Sequence, residues 1–300
     1  MTVYLDYNAT SPLCEEAIQA INQAMAWIGN PSSVHGQGRK IRYQIEQARQ
    51  VIADCLGVLS QRIVFTSGAT ESNNMALACF PGRVLISAIE HDSIRLVRPD
   101  ALIIPVNSNG IIDLSALEKA LQSSYEGLTL ISIIAAHNES GVIQPLADVI
   151  GLAKKYNACV HSDAVQALGR VSFRWQMLDM LSVSAHKVGG PMGVGCLIIN
   201  PDWKLKPLLN GGGQERSLRP GTENMMGIIG MAAAFKKNIH QDWSEVNALR
   251  LEMEKTLSDL SPESIIIGDQ APRLPNTTLI TMPGVKSETQ VMNLDLQGFS

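Results

Sequence analysis

Charge is scarce in this 300-residue chain: Asp, Glu, Lys and Arg make up 17% of it, the formal net charge is -4, and no basic stripe interleaves with aromatics. Such a surface has no field to gather nucleic acid or an anionic membrane, so neither is an expected partner. Long apolar runs are missing too. None approaches the roughly 20 residues needed to span a bilayer, and the opening Thr2-Val3-Tyr4-Leu5-Asp6 shows no basic region leading into an apolar one. The expected location is the cytoplasm. Five cysteines, Cys14, Cys55, Cys79, Cys159 and Cys196, stand without C-x-x-C spacing, which suits buried thiols in a reducing compartment better than disulfides or zinc. His161 and Asp163 share a strand face, but no ligand set closes around them, so no metal is expected. There is no G-x-G-x-x-G after the first strand and no Walker lysine after Gly68, which argues against nicotinamide and P-loop nucleotide chemistry.

What is abundant is apolar residue, 45% of the chain, enough for a large core and the beginning of a second domain. Apolar runs at 62–66, 83–87, 101–106, 128–135, 158–161, 180–184 and 194–199 read as strands. Between them, 41–56, 72–79, 114–121 and 146–156 carry apolar residues at helical spacing, with Asp113 as an N-cap. The alternation predicts an α/β fold: a seven-stranded, mainly parallel sheet covered by helices. After Gly213 the texture changes, with helices at 223–236 and 242–260, strands at 264–267 and 276–282, and a helix at 286–296. We read a large domain over 12–244 and a smaller α+β domain from 1–11 and 245–300, incomplete at its C-terminal end.

Ser184-Ala185-His186-Lys187 closes one of these apolar runs. A lysine at the end of a buried strand needs a reason, and a Schiff base to pyridoxal 5'-phosphate is one, with burial and nearby positive charge lowering its pKa. Asp163 ends the preceding strand, where α/β sheets bind ligands, and a carboxylate there suits a protonated pyridine nitrogen. Adjacent strand ends lie about 5 Å apart, close enough for both to reach one small ring. Thr66-Ser67-Gly68-Ala69-Thr70-Glu71-Ser72 turns a strand into a helix, so the backbone at Ala69 and Thr70 and the Thr70 hydroxyl form an anion seat, or else an ordinary capped helix. Ser184 and His186 can add hydrogen bonds to a phosphate. His91 is placed to stack on the ring and move protons near neutral pH, although a lone histidine at a strand end is more often structural. Asn138 can meet the ring's phenolic oxygen. The glycines and arginines of Gly211-Gly212-Gly213-Gln214-Glu215-Arg216 and Arg219-Pro220-Gly221-Thr222 form a loop that reaches an anion, hugs another backbone or links domains.

These motifs, together with Tyr4 to Thr10, Gly29 to His35, Glu90-His91, Asn138-Glu139-Ser140-Gly141 and His161 to Ala167, resemble the cysteine desulfurases of the class V aminotransferase group, fold type I pyridoxal phosphate enzymes that supply sulfur for iron–sulfur clusters. The resemblance implies Lys187 as the Schiff-base lysine, Asp163 on the pyridine nitrogen, Gln166 and Asn138 near the phenolic oxygen, His91 over the ring, and Thr70, Ser184 and His186 on the phosphate. It also implies that Thr222 reaches the phosphate of a second subunit, hence a homodimer, with L-cysteine as substrate and a sulfur-accepting or iron–sulfur scaffold protein as partner. Selenocysteine lyase, a true aminotransferase and a catalytically silent dimerisation domain are the alternatives. Two departures stand out. Met192 replaces a usual lysine, and the family's nucleophilic cysteine and carboxylate-binding arginine fall after Ser300, so the 300 residues alone are expected to be inactive as a desulfurase.

Overall fold

The computed structural model describes residues 2–200, 203 and 205–300. Two helices, α1 (Glu15–Met25) and α2 (Gly36–Leu56), precede the sheet. Strands and helices then alternate as β1 (Ile63–Thr66), α3 (Ala69–Ala78), β2 (Arg83–Ser87), α4 (Asp92–Arg95), β3 (Leu102–Ile104), α5 (Leu114–Gln122), β4 (Thr129–Ser132), α6 (Leu146–Lys155), β5 (Cys159–Asp163), β6 (Met180–Ser184) and β7 (Gly195–Ile199). The last part holds α7 (Met225–Asn238), α8 (Ser244–Leu260), β8 (Ile265–Ile266), β9 (Ile280–Thr281) and α9 (Ser287–Leu296).

All seven expected strands join one sheet in the order β1-β7-β6-β5-β4-β2-β3. The β6–β5–β4–β2–β3 pairs are parallel, and β7 runs antiparallel to both β6 and β1. Side chains alternate across it. Ile63 and Phe65 face the core built with α2, α5, α6 and α7, whereas Val64 and Leu197 face the core shared with α3. The two strands that fall furthest short of expectation, β3 and β4, do so for local reasons. Pro105 has no N–H for the ladder after β3, and beyond β4 the Ile134 N–H turns to the Glu90 side chain, 2.8 Å away.

Helices α2 and α3 start earlier than the apolar spacing suggests, whereas α5 and α6 start where expected. The His35 Nδ1 accepts the Gly38 N–H at 3.3 Å and caps α2, while α3 starts after Gly68 without a side-chain cap. Asp113 caps α5 as expected, accepting from Ser115 and Ala116. Helix α1 was not legible from our pattern, although Pro12 and two glutamates in the first turn mark its start. It packs on α7 at Gly230, where a Cβ would lie 2.7 Å from the Ile21 side chain.

Residues 215–217, ahead of α7, are pinned rather than free. Glu215 lies in the left-handed region, as do Arg216 and Ser217, a costly run for residues with side chains. Glu215 is held by Arg49 at 2.6 Å and by the Phe65 N–H at 2.8 Å, all buried. In the C-terminal part β8 pairs with β9, α9 buries none of its residues, and Val3 pairs with Phe299 alongside it.

Candidate active site

Beyond the carboxyl ends of β5 and β6 lies a cavity of about 670 Å³, where open α/β sheets usually take ligands. Ala69, Thr70, His91, Asn138, Asp163, Gln166, Ser184, His186 and Lys187 all line it. Thr222 does not; it is exposed on the loop ahead of α7. Within this chain both arginines of that loop are engaged: Arg216 donates to the Ile63 carbonyl at 2.5 Å and Arg219 to the Glu71 carboxylate at 2.9 Å.

Lys187 follows β6 in a short helical turn and is half-buried. Its Nζ donates to the Asn8 carbonyl. Burial, and then the charge of Arg170, hold this amine below the usual lysine range, against the pull of Asp163 and Asp6. Asp163 is buried, accepting the Val165 N–H at 2.9 Å and Asn73 Nδ2 at 2.7 Å. Burial raises its pKa, opposed by those two bonds and by His91 and Lys187.

Asn73 is the residue our sequence reading missed. Its Nδ2 also donates to Ser93 Oγ at 2.9 Å, and that hydroxyl lies 2.8 Å from His91 Nδ1. Asp163, Asn73, Ser93 and His91 thus form one connected string. His91 Nδ1 also accepts the Ser93 N–H and caps α4, so the neutral ring carries its proton on Nε2. The available signal was an asparagine inside a helix that packs on the sheet, a polar group that must be paired when buried.

Asn8 was quoted only within a motif, yet it joins the N-terminal segment to the site. Its carbonyl accepts from Gln166 as well as Lys187, and its Nδ2 donates to the Asn138 carbonyl and to Thr277 Oγ1, both at 2.9 Å. At the uncapped start of α3, a close approach makes room: a Cβ on Gly195 would lie 2.8 Å from Gly68 Cα. His186 sits across the cavity with Nδ1 3.1 Å from Thr10 Oγ1, its pKa lowered by burial and then by Lys187.

Beside His91, Glu90 is buried, with Oε1 accepting Ser87 Oγ at 2.5 Å and the Ile134 N–H, and Oε2 unpartnered. Burial, with a smaller push from Asp163, raises its pKa to about 8, which favours the neutral acid. His161 is enclosed between Ser132 and Ser182 hydroxyls at 2.8 and 2.9 Å, and burial lowers its pKa to about 3. No cysteine is among the residues described as lining the cavity. Burial raises the pKa of Cys55 and Cys79, pushes Cys159 up to about 12 and Cys196 further still.

A mostly parallel sheet with lysine and aspartate at neighbouring strand ends, facing an open helix start, is the α/β fold of pyridoxal phosphate-dependent transferases; solved structures of NifS-like proteins share it. The chain belongs to the aminotransferase class-V family, whose model matches residues 3–299. It is 38% identical to the cysteine desulfurase IscS of Dictyoglomus turgidum, covering 99% of this chain and 79% of that protein. A cysteine desulfurase of Cereibacter sphaeroides is 37% identical, with 99% and 80% covered. The solved NifS-like protein of Rickettsia africae superposes with a TM-score of 0.95 at 38% identity, covering all of this chain and 87% of its own. Both the family and these desulfurases are pyridoxal phosphate-dependent.

Proposed function

We propose that this chain carries the pyridoxal phosphate site of a cysteine desulfurase, with L-cysteine as substrate. L-cysteine and an acceptor thiol give L-alanine and a persulfide. The observation that carries the reading is the convergence of Lys187, buried Asp163 and the uncapped start of α3 on one cavity.

The residues fit the cofactor. A carboxylate held by Asn73 and Val165, in no ion pair among the described residues, suits a cationic ring nitrogen. Free N–H groups at Ala69 and Thr70, with Thr70, Ser184 and His186 side chains around them, suit a phosphate. Gln166 and Asn138 would bind the phenolic oxygen, and His91 would cover the ring. When bound, the cofactor supplies a carbonyl for the substrate amine and an electron sink.

The chain's own groups do the rest. Asp163 holds a proton on the ring nitrogen. Lys187, its pKa already lowered, would act as nucleophile and then as base at the substrate Cα, and His91 would offer its Nε2–H to the substrate as a hydrogen-bond donor. The acceptor thiol comes from outside the five cysteines, since none of them is described at the cavity. Thr222, exposed on its pinned loop, supports a homodimer in which it serves the neighbouring site. We place this reaction in the cytoplasm, next to a sulfur-accepting or iron–sulfur scaffold protein, consistent with five free thiols. The domain division at 12–244 against 1–11 and 245–300 is supported by the pairing of Val3 with Phe299.

The test is borohydride reduction after incubation with pyridoxal phosphate, followed by peptide mapping. The label is expected on Lys187 and is lost in Lys187→Ala. A label on another lysine would overturn the assignment.

A further inference from the structure

Arg170 is only 9% exposed, yet none of the ion pairs among the described residues includes it. Its guanidinium bonds neutral oxygens alone: the Gln166 carbonyl at 3.1 Å, Gln166 Oε1 at 2.5 Å, and Asn8 Oδ1 and the Tyr7 and Lys187 carbonyls at 3.4 Å. A buried cation normally has a carboxylate beside it, because carbonyls alone compensate its desolvation poorly. The reason for this one lies in what it touches. Arg170 reaches Asn8 and Lys187, and the Asn8 carbonyl is the acceptor for Lys187 Nζ.

Lys187 also lines two cavities. On one side is the active-site cavity, and on the other a second one of about 400 Å³, lined by Arg170, Trp243, Tyr7 and Asn276. Asp163 therefore bears on this lysine from the first cavity, and from the second the Arg170 guanidinium, which bonds the Lys187 carbonyl and lies 5.9 Å from the centre of the Trp243 ring with no carboxylate among the described residues to neutralise it.

We propose that Arg170 is a positioning residue whose unpaired charge favours the neutral, nucleophilic amine of Lys187. A neighbouring cation is one of the known ways to activate a lysine. The groups that bear on Lys187 are Asp163 from β5, Asp6 from the N-terminal segment, Arg170 from the turn after β5, and the adjacent His186, whose own pKa Lys187 lowers. Both carboxylates favour the ammonium form, and Arg170 opposes them. An arginine suits the role because, although burial lowers its pKa to about 10, it stays charged through the neutral range where the labelling is compared. The inference rests on Lys187 being the reactive lysine, so the test reads that amine in cofactor-free protein.

Trace acetylation with acetic anhydride across the neutral to alkaline range, quantified by mass spectrometry, gives the neutral fraction of Lys187 against the exposed Lys40. In Arg170→Gln, which keeps a polar side chain and removes the charge, labelling of Lys187 at neutral pH is expected to fall roughly tenfold. Arg170→Lys should restore most of it. Unchanged labelling in Arg170→Gln would overturn the proposal. So would an equal fall in Arg170→Lys, which would make the role one of packing. Where thermal unfolding shows that Arg170→Gln does not fold, Arg170→Met serves as the neutral variant with the same expectation. Loss of the borohydride link with an intact labelling pattern would remove the proposed function only. The reverse would remove only the role of Arg170.

Discussion

Replacing Asn73 by alanine isolates the bond that orients the buried carboxylate. Asn73 Nδ2 donates to Asp163 Oδ2 at 2.7 Å, and both residues are buried. A hydrogen bond to a charged group is worth about 1.5–3 kcal/mol, and Asp163 must be charged to hold a protonated ring nitrogen. Asn73→Ala should therefore weaken pyridoxal phosphate binding by about tenfold to a hundredfold. Fluorescence titration of the cofactor into the folded variant measures this, with urea unfolding run separately to take out any general loss of stability. The decisive comparison is a double-mutant cycle. With Asp163→Asn in place the carboxylate has gone, and Asn73→Ala should then change affinity little. An equal loss in both backgrounds would refute the reasoning and assign Asn73 to helix packing or to its second bond, at Ser93.

Arg49→Met leaves Glu215 buried without its cation; the two side chains are 5% and 2% exposed. Urea midpoints should report a loss of about 3–5 kcal/mol, partly recovered by adding Glu215→Gln, whereas a loss below about 1 kcal/mol would contradict the burial argument. Glu90 binds its proton more tightly folded than unfolded between the ordinary 4.5 and about 8, so its stabilising contribution is full below that window and declines as pH rises through it. Glu90→Gln should flatten that part of the stability–pH curve, and an unchanged slope would place the titration elsewhere. The 300-residue chain loaded with cofactor should release no sulfide from L-cysteine with dithiothreitol. Steady turnover would mean that one of its own cysteines reaches the site, with the partly exposed Cys14 the first to replace and the buried Cys196 ruled out by its enclosure.

The sheet was legible because each strand is a short apolar run bounded by polar or turn residues, and a buried parallel sheet requires that pattern. Strand ends gave the site for the same reason: a charged residue such as Asp163 or Lys187 directly after such a run has little choice but to face the ligand edge. Helix starts were less legible, since the α2 cap is a histidine and α3 has no side-chain cap, so neither shows the usual Ser, Thr or Asp signal. Asn73, Asn8 and Arg170 escaped because their roles depend on partners far away in sequence. Asn8 reaches Asn138 and Thr277, and no local spacing announces that.

The reversed strand sets an order in time. Strand β1 touches the rest of the sheet through β7 alone, Ile63 opposite Ile198 and Thr66 opposite Gly195. As the chain leaves the ribosome, its earliest strand is therefore made long before its partner, and its four residues, buried when folded, wait without a ladder. Closing so long a loop is slow compared with helix formation. A nascent chain stopped short of β7 would hold an apolar strand with no place to dock, the state in which chaperones are most needed. Amides of β1 should accordingly gain protection late in refolding, after the parallel strands β2, β4 and β5 have assembled.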